Sequence, residues 1–160
     1  MASEYVFIDE WDVDAPIEHV YEALADARTY PDWWQRVYIA VEADGPPEVG
    51  AVSKQEFKGQ LPYHLNTTST IVEADPPHSF SVDVVGDLAG KGVWTLTETG
   101  GKVHVHFHWR VLADRPLLRY LTPILRPLFR HNHNWSIKRA IEGLEPYARS
   151  RASASTPPAA

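Results

Sequence analysis

Three histidines at alternate positions, His104, His106 and His108, followed by Arg110, are the residues whose type and spacing first suggest chemistry. A His-x-His pair on a strand can chelate zinc, so a metal site is one reading of the run. The interleaved residues Val103, Val105, Phe107, Trp109 and Val111 are all apolar. A period of two therefore puts the polar side chains on one face of a strand and the apolar ones on the other. The apolar face must line a core, which leaves the histidines on the solvent face, diverging along a twisted strand. No carboxylate in the local sequence completes a site, and no bound metal is expected.

His131 and His133 lie in a segment of helical period. On a helix of about 3.6 residues per turn they point about 200° apart and cannot share a metal. His133 continues a stripe with Ile137, Ile141 and Leu144, so it is expected to face inward. Asn132 lies over Ser136, Ala140 and Gly143, small residues that leave space beside a packed helix. Asn132 and His133 then either meet a ligand in that space or satisfy nearby backbone groups. Both readings require them to be hydrogen-bonded.

The aromatic residues are a second resource. Trp34, Trp94 and Trp109, with Trp33 and Trp135, can serve as flat walls for an aromatic ligand or can simply fill a core. Tyr63, Leu65, Thr67, Ser69 and Ile71 share one face of a strand. If that face is inward, Thr67 and Ser69 bring hydroxyls into the interior. Val72 and Ala74 favour the opposite phase, which leaves the register open.

Several chemistries are excluded. The absence of Cys removes disulfides, thiolate metal sites, iron–sulfur clusters and a Cys nucleophile. No Gly-x-Ser-x-Gly elbow, phosphate loop, Gly-x-Gly-x-x-Gly or His-Glu-x-x-His occurs, so no nucleotide, flavin or nicotinamide cofactor is expected.

The elements that must position these residues can be read from periodicity. The 160 residues, 44% hydrophobic with 6 Trp, 7 Tyr and 5 Phe, suit one domain with a real core. Tyr5–Val13 alternates as a strand, with Tyr5, Phe7, Asp9, Trp11 and Val13 in one phase. Asp14-Ala-Pro16 opens a helix, Asp14 being the expected N-cap, and Val20, Ala23, Leu24 and Ala27 form its apolar stripe. That helix should stop before Pro31, with Trp33-Trp34 in a short turn or second helix.

Six short strands follow, at about 36–43, 51–58, 63–74, 80–85, 91–98 and 102–112, separated by Gly and Pro turn signals. The connections are too short for parallel crossovers, so the sheet is antiparallel. A long helix is expected from Thr122 to about Arg149, bent or broken by Pro127. Residues 150–160 are small and polar and are expected to be disordered. The domain therefore spans 1–149. A strongly bent sheet wrapped around its last helix fits this α+β order and leaves a cavity.

Charge is uneven. Residues 1–101 carry 5 Lys/Arg against 18 Asp/Glu, whereas 102–160 carry 10 against 3, within a net charge of −6. The two ends are expected to pack side by side and neutralise each other, and the overall acidity argues against a nucleic-acid partner. The acidic, alternating N-terminus reads as no signal peptide, and no stretch approaches a membrane span, so a cytoplasmic protein is expected. The apolar segment 117–129, interrupted by two prolines, is expected to act as a lid. Its surplus apolar surface could touch a membrane transiently.

The layout and certain residues resemble the START-like superfamily of helix-grip proteins, which includes Bet v 1-like proteins and polyketide cyclases/dehydrases. The first strand ends in Ala15-Pro16, a helix follows, and the next segment ends in Pro31-Asp-Trp-Trp34. Leu61-Pro-Tyr63, Gly86-Asp-Leu-Ala-Gly90 and Phe129-Arg-His-Asn-His133 resemble a bacterial subgroup described as polyketide cyclases. That subgroup often has an aromatic before Asn-His, where this chain has His131. The resemblance covers about residues 5–149.

It implies a curved antiparallel sheet of about seven strands around a long C-terminal helix, with two short helices after the first strand and an internal cavity for a small hydrophobic molecule. In an enzyme of that kind, Asn132 or Arg126 would stabilise an enolate and His133 would move the proton. Trp34, Tyr63, Thr67, Ser69, Trp94, Trp109 and Ser136 would bind the ligand. A non-catalytic carrier or an interaction module remains the alternative, as a monomer or homodimer.

Overall fold

The computed structural model describes residues 3–60, 64–113 and 122–155. Strand β1 (Ser3–Val13) leads into helix α1 (Ile17–Ala25), a 3-10 turn (Ala27–Thr29) and the short helix α2 (Tyr30–Trp33). Strands β2 (Tyr38–Ala43), β3 (Val52–Phe57), β4 (Leu65–Asp75), β5 (Ser79–Gly86), β6 (Ala89–Thr99) and β7 (Lys102–Ala113) follow, and helix α3 (Thr122–Ser155) closes the chain.

The sheet runs β1-β7-β6-β5-β4-β3-β2, antiparallel throughout. Strands β2 to β7 form a meander of short links, and only β1 joins from a distance, on β7. The β6–β7 turn shows why the local sequence demands it. Gly100 and Gly101 sit at φ +60° and +83° between the paired Thr99 and Lys102, a two-residue loop that other residues enter only at a cost.

Alternation sets what each strand buries. In β1, Tyr5, Trp11 and Val13 are buried while Val6 and Ile8 are exposed. In β7, Val103, Val105, Phe107 and Val111 are buried, and the histidines between them lie on the outer face, as their phase requires. The open register of β4 has a physical answer. Ile71 pairs with Val82 but Glu73 with Ser81, so Val72 is the extra residue of a β-bulge. Leu65, Thr67, Ser69 and Ile71 are buried before the bulge, and past it the phase switches so that Ala74 packs on the core.

Helix α1 buries Val20, Leu24 and Ala23 completely or nearly so. Its cap differs from the expected one. Pro16 is the N-cap, and its carbonyl accepts from the backbone N–H of His19 and Val20. Asp14 instead donates its backbone N–H to Glu145 Oε1 at 2.7 Å and faces Arg149 at 3.6 Å. With Arg110 on Glu4, these contacts neutralise the acidic and basic ends side by side.

Helix α3 corrects four expectations. It continues through Pro127 as one helix, and residues 150–155 are helical rather than disordered. Ile141 is exposed, so the inward stripe is His133, Ile137, Ala140, Leu144 and Ala148. The small residues do not all leave space. A Cβ on Gly143 would lie 1.8 Å from the Trp33 carbonyl oxygen, so glycine there lets α2 press onto the helix. Among the described residues no helix is long and apolar enough to cross a membrane. Residues 117–121 of the expected lid lie outside the described residues.

Candidate functional site

Between the sheet and the N-terminal half of α3 lies a cavity of about 180 Å³. The core beneath it, around Val13, Val20, Leu96, Val103 and Leu144, is filled. Gly92 lines the cavity floor, where a Cβ would press on Phe107, Val82 and Trp109 at 3.2–3.4 Å.

One wall is aromatic because register aligns rings from neighbouring strands. Phe80 pairs with Trp94 and Trp94 with Phe107. Their rings are nearly parallel, with Trp94 and Phe107 stacked at 3.9 Å and 13°, and Trp109 continues the row at 6.3 Å. Trp34 enters from the segment after α2 and donates Nε1–H to the Ser136 carbonyl on α3 at 2.7 Å. Burial raises the pKa of the Tyr38 hydroxyl, another cavity residue, well above its ordinary value.

The opposite wall is polar. Gln55 Oε1 accepts from the Thr67 hydroxyl at 3.3 Å and the Ser69 hydroxyl at 3.1 Å, while Gln55 Nε2 donates to Ser53 Oγ at 2.9 Å. All four residues line the cavity.

The helix contributes Asn132 and His133. The His133 imidazole sits on Phe7, ring centroids 3.9 Å apart, and its Nε2 lies 2.7 Å from Asp9 Oδ2. Asp9 is the one acidic residue in the inward phase of β1. Asn132, 8% exposed, accepts the Gln60 backbone N–H on Oδ1 at 2.6 Å. Its neighbour His131 points outward, as the angular argument requires, and its Nε2 lies 2.8 Å from Gln60 Oε1. Together they hold the loop after β3 against the helix.

The cavity thus unites Trp34, Thr67, Ser69, Trp94, Trp109, Asn132, His133 and Ser136. Arg126 is not among its lining residues. It is exposed and lies over the Tyr5 ring, 4.8 Å from the centroid. Tyr63 lies outside the described residues. Sequence reading missed Tyr5, Phe7, Asp9 and Gln55. The signals were present: Asp9 interrupts an apolar phase, and Gln55 shares a phase with Phe57.

The outer histidines form a separate feature. His104 Nδ1 lies 2.8 Å from Asp12 Oδ1 and Nε2 3.3 Å from Glu10 Oε1. These carboxylates come from β1, across the strand pair, where local sequence could not show them. The bond to Asp12, then that to Glu10, raises the His104 pKa.

A seven-stranded curved antiparallel sheet, a long C-terminal helix and two short helices after the first strand define a helix-grip protein. Residues 8–149 match the model of the polyketide cyclase / dehydrase and lipid transport family, and the chain belongs to that family. No curated protein matches it.

Solved structures share the fold. TTHA0849 from Thermus thermophilus superposes with a TM-score of 0.77 at 17% identity, over 95% of this chain and 100% of that one. A norcoclaurine synthase point mutant from Thalictrum, in complex with a transition-state analogue, gives 0.63 at 14% identity over 95% and 98%. The di-domain ARO/CYC StfQ of the steffimycin biosynthetic pathway gives 0.68 at 15% identity, over 94% of this chain and 52% of that one.

Proposed function

We propose that this protein binds a small hydrophobic molecule with a flat conjugated body in its internal cavity and acts on it as a cofactor-independent cyclase/dehydratase. The observation that carries this reading is the His133 imidazole on the cavity lining, stacked on Phe7 and paired through Nε2 with the Asp9 carboxylate. A partly buried imidazole–carboxylate pair is costly to desolvate, so a cavity that only stored hydrocarbon gains little from one.

The pair suits proton transfer. With Nε2–H donated to Asp9, the lone pair lies on Nδ1, and the carboxylate stabilises the imidazolium that forms. His133 Nδ1 then takes a proton α to a carbonyl. The C–H electron pair becomes the enolate, which attacks a second carbonyl carbon to form the new C–C bond. The oxygen of that second carbonyl, now an alkoxide, takes the proton back from the imidazolium. In dehydration His133 removes a second α-proton, the C=C bond forms as the C–O bond breaks, and that proton leaves with the hydroxide as water. The Asn132 side-chain amide is the neighbouring donor for the enolate oxygen.

Size supports a short substrate. A cavity of about 150 Å³ suffices for benzene in an engineered protein, so 180 Å³ suits a molecule of one or two rings. The membership in a polyketide cyclase / dehydrase and lipid transport family agrees with this chemistry.

A carrier role is the second reading. Ser53, Gln55, Thr67 and Ser69 satisfy one another, so the polar wall does not need a ligand. Native mass spectrometry of protein purified from its own host identifies the ligand class. Deuterium exchange at the α-carbon of a bound aryl ketone separates the two roles: wild type accelerates it and His133→Ala does not. Binding without exchange supports the carrier and overturns the enzyme. In this reading the protein works in the cytoplasm as a monomer or homodimer, without metal, cofactor or nucleic acid, with transient membrane contact through segment 117–129.

A further inference from the structure

The Tyr5 hydroxyl is buried and has no hydrogen-bond partner among the described residues, and Tyr5 is one of the residues that line the cavity. Tyr5 is 5% exposed and lies in the inward phase of β1, two residues before Phe7 and four before Asp9. Its ring is fixed on several sides. Phe129 meets it edge-on at 5.6 Å, Phe7 lies parallel at 6.4 Å, and the Arg126 guanidinium covers it at 4.8 Å. Phenylalanine would make all of these contacts. The hydroxyl therefore adds nothing to the packing and carries the cost of a buried unpaired donor.

A donor held rigidly at a cavity wall, beside the ring that stacks on His133, has a use once a ligand brings an acceptor. We propose that the Tyr5 hydroxyl donates a hydrogen bond to a carbonyl oxygen of the ligand and thereby selects aryl ketones over hydrocarbons of the same shape. This rests on the ligand-binding reading above and deepens it by naming the functional group that the Tyr5 end of the cavity recognises. Apart from the Arg126 guanidinium over the ring face, the groups packed around Tyr5 are apolar: Phe7, Leu88, Trp109, Val111 and Phe129. A single donor in an apolar setting discriminates strongly, because a ligand without an acceptor leaves the donor unpaired.

The test uses two probes of one shape, acetophenone and α-methylstyrene, in which C=CH₂ replaces C=O. Affinities for wild type and Tyr5→Phe are read from tryptophan fluorescence, and the carbonyl stretch of isotope-labelled acetophenone from difference infrared spectra. Wild type should prefer acetophenone. Tyr5→Phe should lose about tenfold in acetophenone affinity, keep its affinity for α-methylstyrene, and shift the carbonyl stretch to higher frequency. Its melting temperature should not fall, since the lost hydroxyl was unpaired. Equal effects on both probes, or an unchanged carbonyl stretch, overturn the inference and leave ligand binding standing. Failure of wild type to bind either probe overturns both.

Discussion

The imidazole of His133 and the carboxylate of Asp9 meet at 2.7 Å across 124 residues of sequence, joining the C-terminal helix to the first strand at the cavity wall. Their side chains are 12% and 18% exposed, so each shields the other from an apolar setting. The pair gives His133 a structural duty beside its proposed chemical one.

His133→Ala leaves the Asp9 carboxylate half-desolvated and unpaired. It should destabilise the fold by about 2 kcal/mol, below the usual range for a fully buried pair because some water reaches this one. Replacing both residues, His133→Phe with Asp9→Leu, should cost less than the two single changes added together. Urea unfolding of His133→Ala, and of wild type, His133→Phe, Asp9→Leu and the double change, measures the loss and the coupling.

Gln55 holds two hydroxyls on one oxygen, from Thr67 and Ser69. Gln55→Leu strands both donors beside the cavity and should lower stability by about 1–3 kcal/mol. The triple change Gln55→Leu, Thr67→Val, Ser69→Ala removes the polar set as a whole and should recover part of that loss. Thermal unfolding of both variants decides it.

Gly143→Ala reverses the usual sign of a glycine replacement in a helix. On propensity alone alanine should stabilise by about 1 kcal/mol. Here the new methyl would meet the Trp33 carbonyl at 1.8 Å, so α2 must move. A net loss of about 2 kcal/mol is expected, with altered fluorescence from Trp33 and Trp34. A stabilised protein would refute the close approach of α2 and α3.

The outer-face His104 makes stability depend weakly on pH. Asp12 and Glu10 raise its folded pKa above the ordinary 6.5. Its stabilising contribution is therefore fully present below about pH 6.5 and is lost as pH rises through the raised folded value. Water screens these exposed groups, so the fall is small. Melting temperatures across neutral pH should drop more in wild type than in Asp12→Asn with Glu10→Gln.

Periodicity alone placed the seven strands within a few residues, assigned the histidines of β7 to the outer face, and turned His131 and His133 apart. These follow from the two repeats of the backbone, about 2.0 residues in strands and 3.6 in helices, and they need only neighbours in sequence. Asn132, His133, Thr67, Ser69 and the tryptophans were legible because polar or large residues at inward positions declare themselves in such patterns.

Tertiary structure decided whatever depends on partners distant in the chain. The bulge at Val72 set the phase of β4, which no local pattern could fix while Ile71 and Ala74 pulled in opposite directions. Packing against Trp33 turned Gly143 from open space into a close contact. The placements of Asp9, Gln55 and Tyr5 emerged only when the sheet curved to bring β1, β3 and β4 around one helix. A side chain's chemistry is set by what surrounds it, and here those surroundings come from residues 12 to 124 positions away.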